Sequence, residues 1–96
     1  MQHFENLLSV CYSYKQGKYS IEEFQSRITT AAIPDNLSKE FLTALVHFDN
    51  RIEEILFCNS ELEGKKYAGE AADDLINATI EEQERLKSHS VYKNNL

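Results

Sequence analysis

Apolar residues recur along the chain at steps of three and four, the spacing of one face of a helix. In the first segment they are Phe4, Leu7, Leu8, Cys11 and either Tyr14 or the aliphatic stem of Lys15. Gly17 follows where a left-handed C-terminal cap belongs, so a helix is predicted near residues 2–16. Ser20 then opens "SIEE", in which a Ser with a Glu three residues on makes a capping box. Tyr19, just before the cap, is placed to staple onto Phe24. A second helix follows over 21–32 with Ile21, Phe24, Ile28 and Ala31 on its apolar face. The orderly stretch "YKQGKYSIEEF", Tyr14 to Phe24, thus reads as the tight turn of a helical hairpin.

Pro34 ends the second helix, because the residue before proline avoids helical angles. Asp35, Asn36 and Ser38 each offer an N-cap for the next one. Phe41, Leu45, Phe48, Ile52, Ile55 and Leu56 keep an unbroken period, which predicts a long third helix over 37–58. Phe41, Leu45, Phe48 and Ile52 are expected in the core. Asn50 and Glu53 would form another capping box if "FDN" broke this helix, and the unbroken period argues against a break. The polar run "NSELEGKK", Asn59 to Lys66, holds Gly64 and reads as a loop.

A fourth helix over 67–88 buries Ala68, Ala72, Leu75, Ile76, Thr79, Ile80 and Leu86. Its small residues at 68, 71 and 72 let another helix approach closely. The last stretch, "SHSVYKNNL", lacks periodicity, so a frayed tail is expected from about 89 to 96. Short connections between successive helices imply an all-α fold, an antiparallel up-and-down four-helix bundle. A chain of 96 residues is enough for a single helical domain with one modest core.

Composition narrows the function classes. The net charge of −6 argues against direct nucleic-acid contact, which needs clustered Lys and Arg, and equally against an anionic membrane surface. The amino terminus has no basic leader followed by an apolar run, and nowhere do eighteen apolar residues run together. Cys11 and Cys58 form no CxxC, so both are expected as reduced thiols in a cytoplasmic chain.

Catalytic and metal motifs are missing from the sequence. His3, His47 and His89 are scattered, with no HExxH, no paired ExxH and no Cys/His cluster. There is no Asp-rich calcium loop, glycine-rich phosphate loop or GxSxG turn. Cys11 lies on an apolar helix face and reads as an inert packed thiol. No catalytic residue, metal or cofactor is expected, and the chain reads as a binding protein rather than an enzyme.

The acid is unevenly placed. Residues 1–48 hold five acidic and four basic side chains, whereas residues 49–84 hold eleven acidic against Arg51, Lys65 and Lys66. At about 100° per residue, Glu70, Asp73, Asp74, Asn77, Glu81 and Glu84 share one sector of the fourth helix. That stripe has one opposite-charge pair at helical spacing, Glu81 with Arg85, and Glu70–Asp74 is a like-charge pair. Asp49–Glu53 repeats the like-charge spacing on the third helix, beside Leu42, Leu45, Val46, Leu56 and Phe57. A solvated acidic surface is the plain reading. Confinement of the acid to one half of the chain, in self-repelling pairs, points instead to a surface that draws in a basic partner. Asp49, Glu53, Glu70, Asp73, Asp74, Glu81 and Glu84 are its candidate contacts, with Phe57 as an apolar anchor.

The hairpin "LLSVCYSYKQGKYSIEEFQSRI", Leu7 to Ile28, resembles the amino-terminal hairpin of colicin D-type immunity proteins and of similar small helical immunity proteins from contact-dependent growth inhibition systems. The resembling elements are the apolar helix, Gly17, the Ser20 cap, Glu23-Phe24 and Arg27-Ile28, which cover about a quarter of the chain. The resemblance implies a bacterial antitoxin that binds, one to one, the basic active-site cleft of a toxin nuclease attacking tRNA. Carboxylates would there replace phosphates against Lys and Arg. Two rival classes use similar features: an acidic nucleic-acid mimic of phage or plasmid origin, as some anti-CRISPR proteins are, and a helical adaptor that takes a partner helix through Phe57 and Val46.

Overall fold

A computed structural model describes residues 4–94, with side chains for residues 4–88. These residues form four helices: α1 (Glu5–Lys15), α2 (Ile21–Thr30), α3 (Lys39–Cys58) and α4 (Glu61–Asn94), with no strand among them. α4 packs along both α1 and α3, and α2 packs on α1 and α3 and touches α4 across the core. Along α3 and α4 the contacts run in opposite order. Ser38 meets Glu82, Arg51 meets Asp74, and Ile55 lies against Gly64.

The α1–α2 turn follows its sequence signals. Gly17 has φ 83°, donates to the Tyr14 carbonyl, and is followed by Lys18, which donates to the Ser13 carbonyl. This double closure is a Schellman cap, which needs the left-handed backbone that glycine adopts freely. The Ser20 hydroxyl accepts from the Glu23 N–H at 3.1 Å, starting α2. The Glu23 carboxylate does not close the box. It takes the Arg27 guanidinium at 2.9 and 3.0 Å, and that guanidinium lies 4.5 Å over the Tyr19 ring. Phe24 stacks on Tyr14 with ring centres 4.2 Å apart and meets Phe48 edge-on. Of the three candidate caps for α3, Ser38 is the one used, its hydroxyl accepting from the Phe41 N–H at 3.0 Å. α3 runs unbroken through "FDN".

One core joins all four helices. Phe4, Leu7, Cys11, Tyr14, Ile21, Phe24, Ile28, Phe41, Phe48, Ile52 and Ile55 are buried against Ala68, Ala71, Ala72, Leu75 and Ile76 of α4. The alanines have no bulk to hold the neighbouring helices away. Leu45 departs from expectation: it is half-buried, because α3 turns it toward the edge facing the end of α2. Ile80 is exposed and Leu86 half-buried, so the apolar stripe of α4 narrows beyond Thr79.

The expected loop over Asn59–Lys66 is a correction. Only Asn59 and Ser60 separate α3 from α4. The Ser60 hydroxyl accepts from the Glu63 N–H at 3.3 Å and donates to the Glu63 carboxylate at 3.1 Å, so "SELE" is an N-terminal cap. Gly64 lies in the first turns of α4, where an added Cβ would stand 3.2 Å from Ile21 Cδ1 and 3.3 Å from Ile55 Cγ2. Glycine there permits a close approach of helices. At the other end the backbone of α4 continues to Asn94, through most of the span expected to fray, and residues 95 and 96 lie outside the described residues. With a 1.5 Å rise per residue, its 34 residues span about 51 Å. That length sets the 54 Å long axis of the molecule, against 23 and 19 Å across.

Candidate functional site

The candidate contacts divide between two faces. On α3, Leu42, Val46, Asp49, Glu53 and Phe57 follow one another at steps of three and four, which puts them on one outward stripe. Val46 is 60% exposed and Phe57 87%, at the helix's far end. Beside the stripe, the end of α2 and the loop after it leave an apolar groove of about 270 Å³, lined by Ile28, Thr29, Ala31, Ile33, Leu45 and Val46, with Asp49 at its rim. The groove exists because α2 stops at Thr30 and the chain leaves in extended form at Ala31, short of the length of α3.

Asp49 and Glu53 are held by an amide. Gln25 Nε2 on α2 donates to Asp49 Oδ1 and to Glu53 Oε1, both at 3.0 Å. Among the described residues neither carboxylate forms an ion pair. Two like charges four residues apart destabilise a helix slightly, and Gln25 stabilises them without neutralising either.

The α4 carboxylates behave differently. Asp73 pairs with Lys15 of α1, and Asp74 pairs with Arg51 of α3 at 2.6 Å, so these neighbours clamp α4 to the helix on each side. Glu70, Glu81 and Glu84 are exposed. Arg51 reaches α4 while Asp49 and Glu53 reach Gln25 of α2, so these two carboxylates lie on the other side of α3 from its contact with α4. The expected single acidic surface is therefore two surfaces.

The most engaged carboxylate, Glu82, was not among the candidates. It is 4% exposed and accepts from the Ser38 N–H at 2.6 Å and the Ser38 hydroxyl at 2.7 Å. Arg85 Nε and Nη2 donate to it at 3.0 and 2.9 Å, and Nη2 also donates to the Asn36 carbonyl at 3.1 Å. The expected Glu81–Arg85 pair is thus replaced by Glu82–Arg85. The Arg85 hydrogen bonds foremost, with those from Ser38, hold the Glu82 pKa down at about 2 against the opposing effect of burial. This cluster fixes the loop after α2, where Asn36 takes a left-handed φ of 63°, and with it one wall of the groove. Arg85 at three residues' spacing from Glu82 was the available sequence signal.

Burial pushes the Cys11 thiol up to about 12, so it stays protonated and packs as an apolar group, whereas Cys58 is exposed. Among the described residues no group of three His, Cys, Asp or Glu side chains gathers as a metal site requires, and His3 and the His89 side chain lie outside them. No described helix is long and apolar enough to cross a membrane. Comparisons with protein-family models, curated proteins and solved structures give no match to the chain.

Proposed function

We propose that this chain is a non-catalytic inhibitor that binds a basic protein, acting as an immunity protein toward a bacterial toxin nuclease that attacks tRNA. The observation that carries the reading is the state of Asp49 and Glu53. Asp73, Asp74 and Glu82 each take a cation from within the chain, but these two share one neutral amide beside exposed apolar groups. A Lys or Arg from a partner meets two carboxylates there, one half-buried, where charge-assisted hydrogen bonds are strongest. Glu70, Glu81 and Glu84 add a field that speeds the approach of a positive surface. The hairpin resemblance supplies the kind of partner: a nuclease whose cleft is basic because its substrate is RNA.

Co-expression tests the reading. The chain, produced with a basic toxin nuclease domain that cleaves tRNA, should protect cells and their tRNA from the domain it neutralises. The Asp49→Lys, Glu53→Lys double variant should fold and fail to protect. Full killing in the presence of the wild-type chain would remove the immunity role.

A further inference from the structure

We propose that the α2–α3 groove is an anchor pocket that takes one bulky apolar side chain of the partner, with a Lys or Arg next to that side chain pairing with Asp49 and Glu53. The proposal rests on the reading above that the partner is a basic protein, and it names the chemistry of the segment that docks. The walls, Ile28, Ala31, Ile33, Leu45 and Val46, are aliphatic, and Ile33 and Val46 are exposed at the mouth. The one charged lining group is Asp49 at the rim, and Glu53 continues the negative edge one turn along α3 through the shared Gln25 amide.

Wall chemistry and charge select the occupant. At about 270 Å³ the open groove has room for one bulky apolar side chain. A second copy of the chain is opposed by its own charge, eleven acidic against three basic side chains over residues 49–84. Nucleic acid is opposed by the same sign. An apolar side chain beside a cation satisfies both the aliphatic walls and the unneutralised rim. Bulky anchors seated in well-packed, desolvated pockets carry most of the energy in protein interfaces.

The test is a nitrogen-15 NMR titration of the full chain with an alanine-based helical peptide carrying one Phe between arginines. Two matched peptides replace the Phe by Ala, or the arginines by Gln. The first peptide should give saturable amide shifts at Ile28, Ala31, Ile33, Val46 and Asp49. Each matched peptide should bind about tenfold more weakly, and Val46→Arg, checked for an unchanged thermal transition, should weaken the first peptide by a similar factor. Shifts confined to α4 around Glu70, Glu81 and Glu84, or equal binding of the Phe and Ala peptides, would overturn the pocket. The nuclease domain separates this proposal from the immunity reading. If it binds the wild type and Val46→Arg equally well, the pocket fails and the immunity reading stands. If the peptide docks in the groove but the nuclease does not bind, the pocket stands and the immunity reading fails.

Discussion

The carboxylate of Glu82, late in α4, receives both the backbone N–H and the hydroxyl of Ser38, the residue that caps α3. The same hydroxyl accepts from the Phe41 N–H, so one side chain starts α3 and ties it to α4. Arg85 completes the cluster by joining Glu82 to the Asn36 carbonyl. Helix capping, interhelical contact and loop placement are therefore coupled at one buried carboxylate.

Acid should loosen this junction. Glu82 has a folded-state pKa of about 2, below its ordinary value of 4.5. A depressed carboxylate contributes fully above its unfolded pKa and loses that contribution as the pH falls toward the folded value. Chemical denaturation should show stability declining between about pH 5 and pH 2. Glu82→Gln should lower stability at neutral pH by about 2–3 kcal/mol and flatten the decline. An unchanged acid profile in Glu82→Gln would assign the decline to other carboxylates.

Substitutions at Phe24 of α2 and Leu45 of α3 should separate the interior of the core from its edge at the groove. Phe24 is fully buried between Tyr14 and Phe48, so Phe24→Ala should destabilise by about 3–5 kcal/mol. Leu45→Ala should fall below about 2 kcal/mol, under the usual range for a buried leucine, because Leu45 is half-buried at the groove. Urea unfolding of both variants checks the order, and a larger loss at Leu45 would place that residue in the core.

The glycines of α4 should respond in opposite directions. Nothing lies within 4 Å of a Cβ built at Gly69, so Gly69→Ala should stabilise by about 0.5–1 kcal/mol through helix propensity. Gly64 faces Ile21 and Ile55 at 3.2 and 3.3 Å, so Gly64→Leu should destabilise by about 1–3 kcal/mol through overpacking. Thermal melts of the two variants give the signs directly.

Much of this architecture is legible in the sequence because its signals are local. Gly17, Ser20 and Ser38 act through hydrogen bonds within a few residues, so the ends they mark follow from the chain alone. Gly64 misled for a physical reason: glycine marks a turn by its backbone freedom and a tight helix crossing by its missing side chain, and only the packing of Ile21 and Ile55 separates the two. The Ser60–Glu63 cap was readable and pointed the other way. In the site, helical projection put Asp49 and Glu53 beside exposed apolar groups, as the structure has them. It did not reveal Gln25 from α2, nor that Lys15 and Arg51 hold Asp73 and Asp74, since those partners lie on other helices. A charge-reversal test of α4 is therefore cleaner at Glu70, Glu81 and Glu84 than at the two aspartates.

Titration calorimetry with basic toxin nuclease domains that cleave tRNA tests the central claim most directly, comparing wild type, Asp49→Lys with Glu53→Lys, and Glu70→Lys with Glu81→Lys and Glu84→Lys. The wild type should bind one to one. The α3 pair should lose about 2–5 kcal/mol, as for truncated charge pairs in an interface. The α4 set should bind with a smaller loss, since exposed rim charges act mainly on association rate. Unchanged affinity in the α3 pair, or no binding by the wild type, would contradict the account.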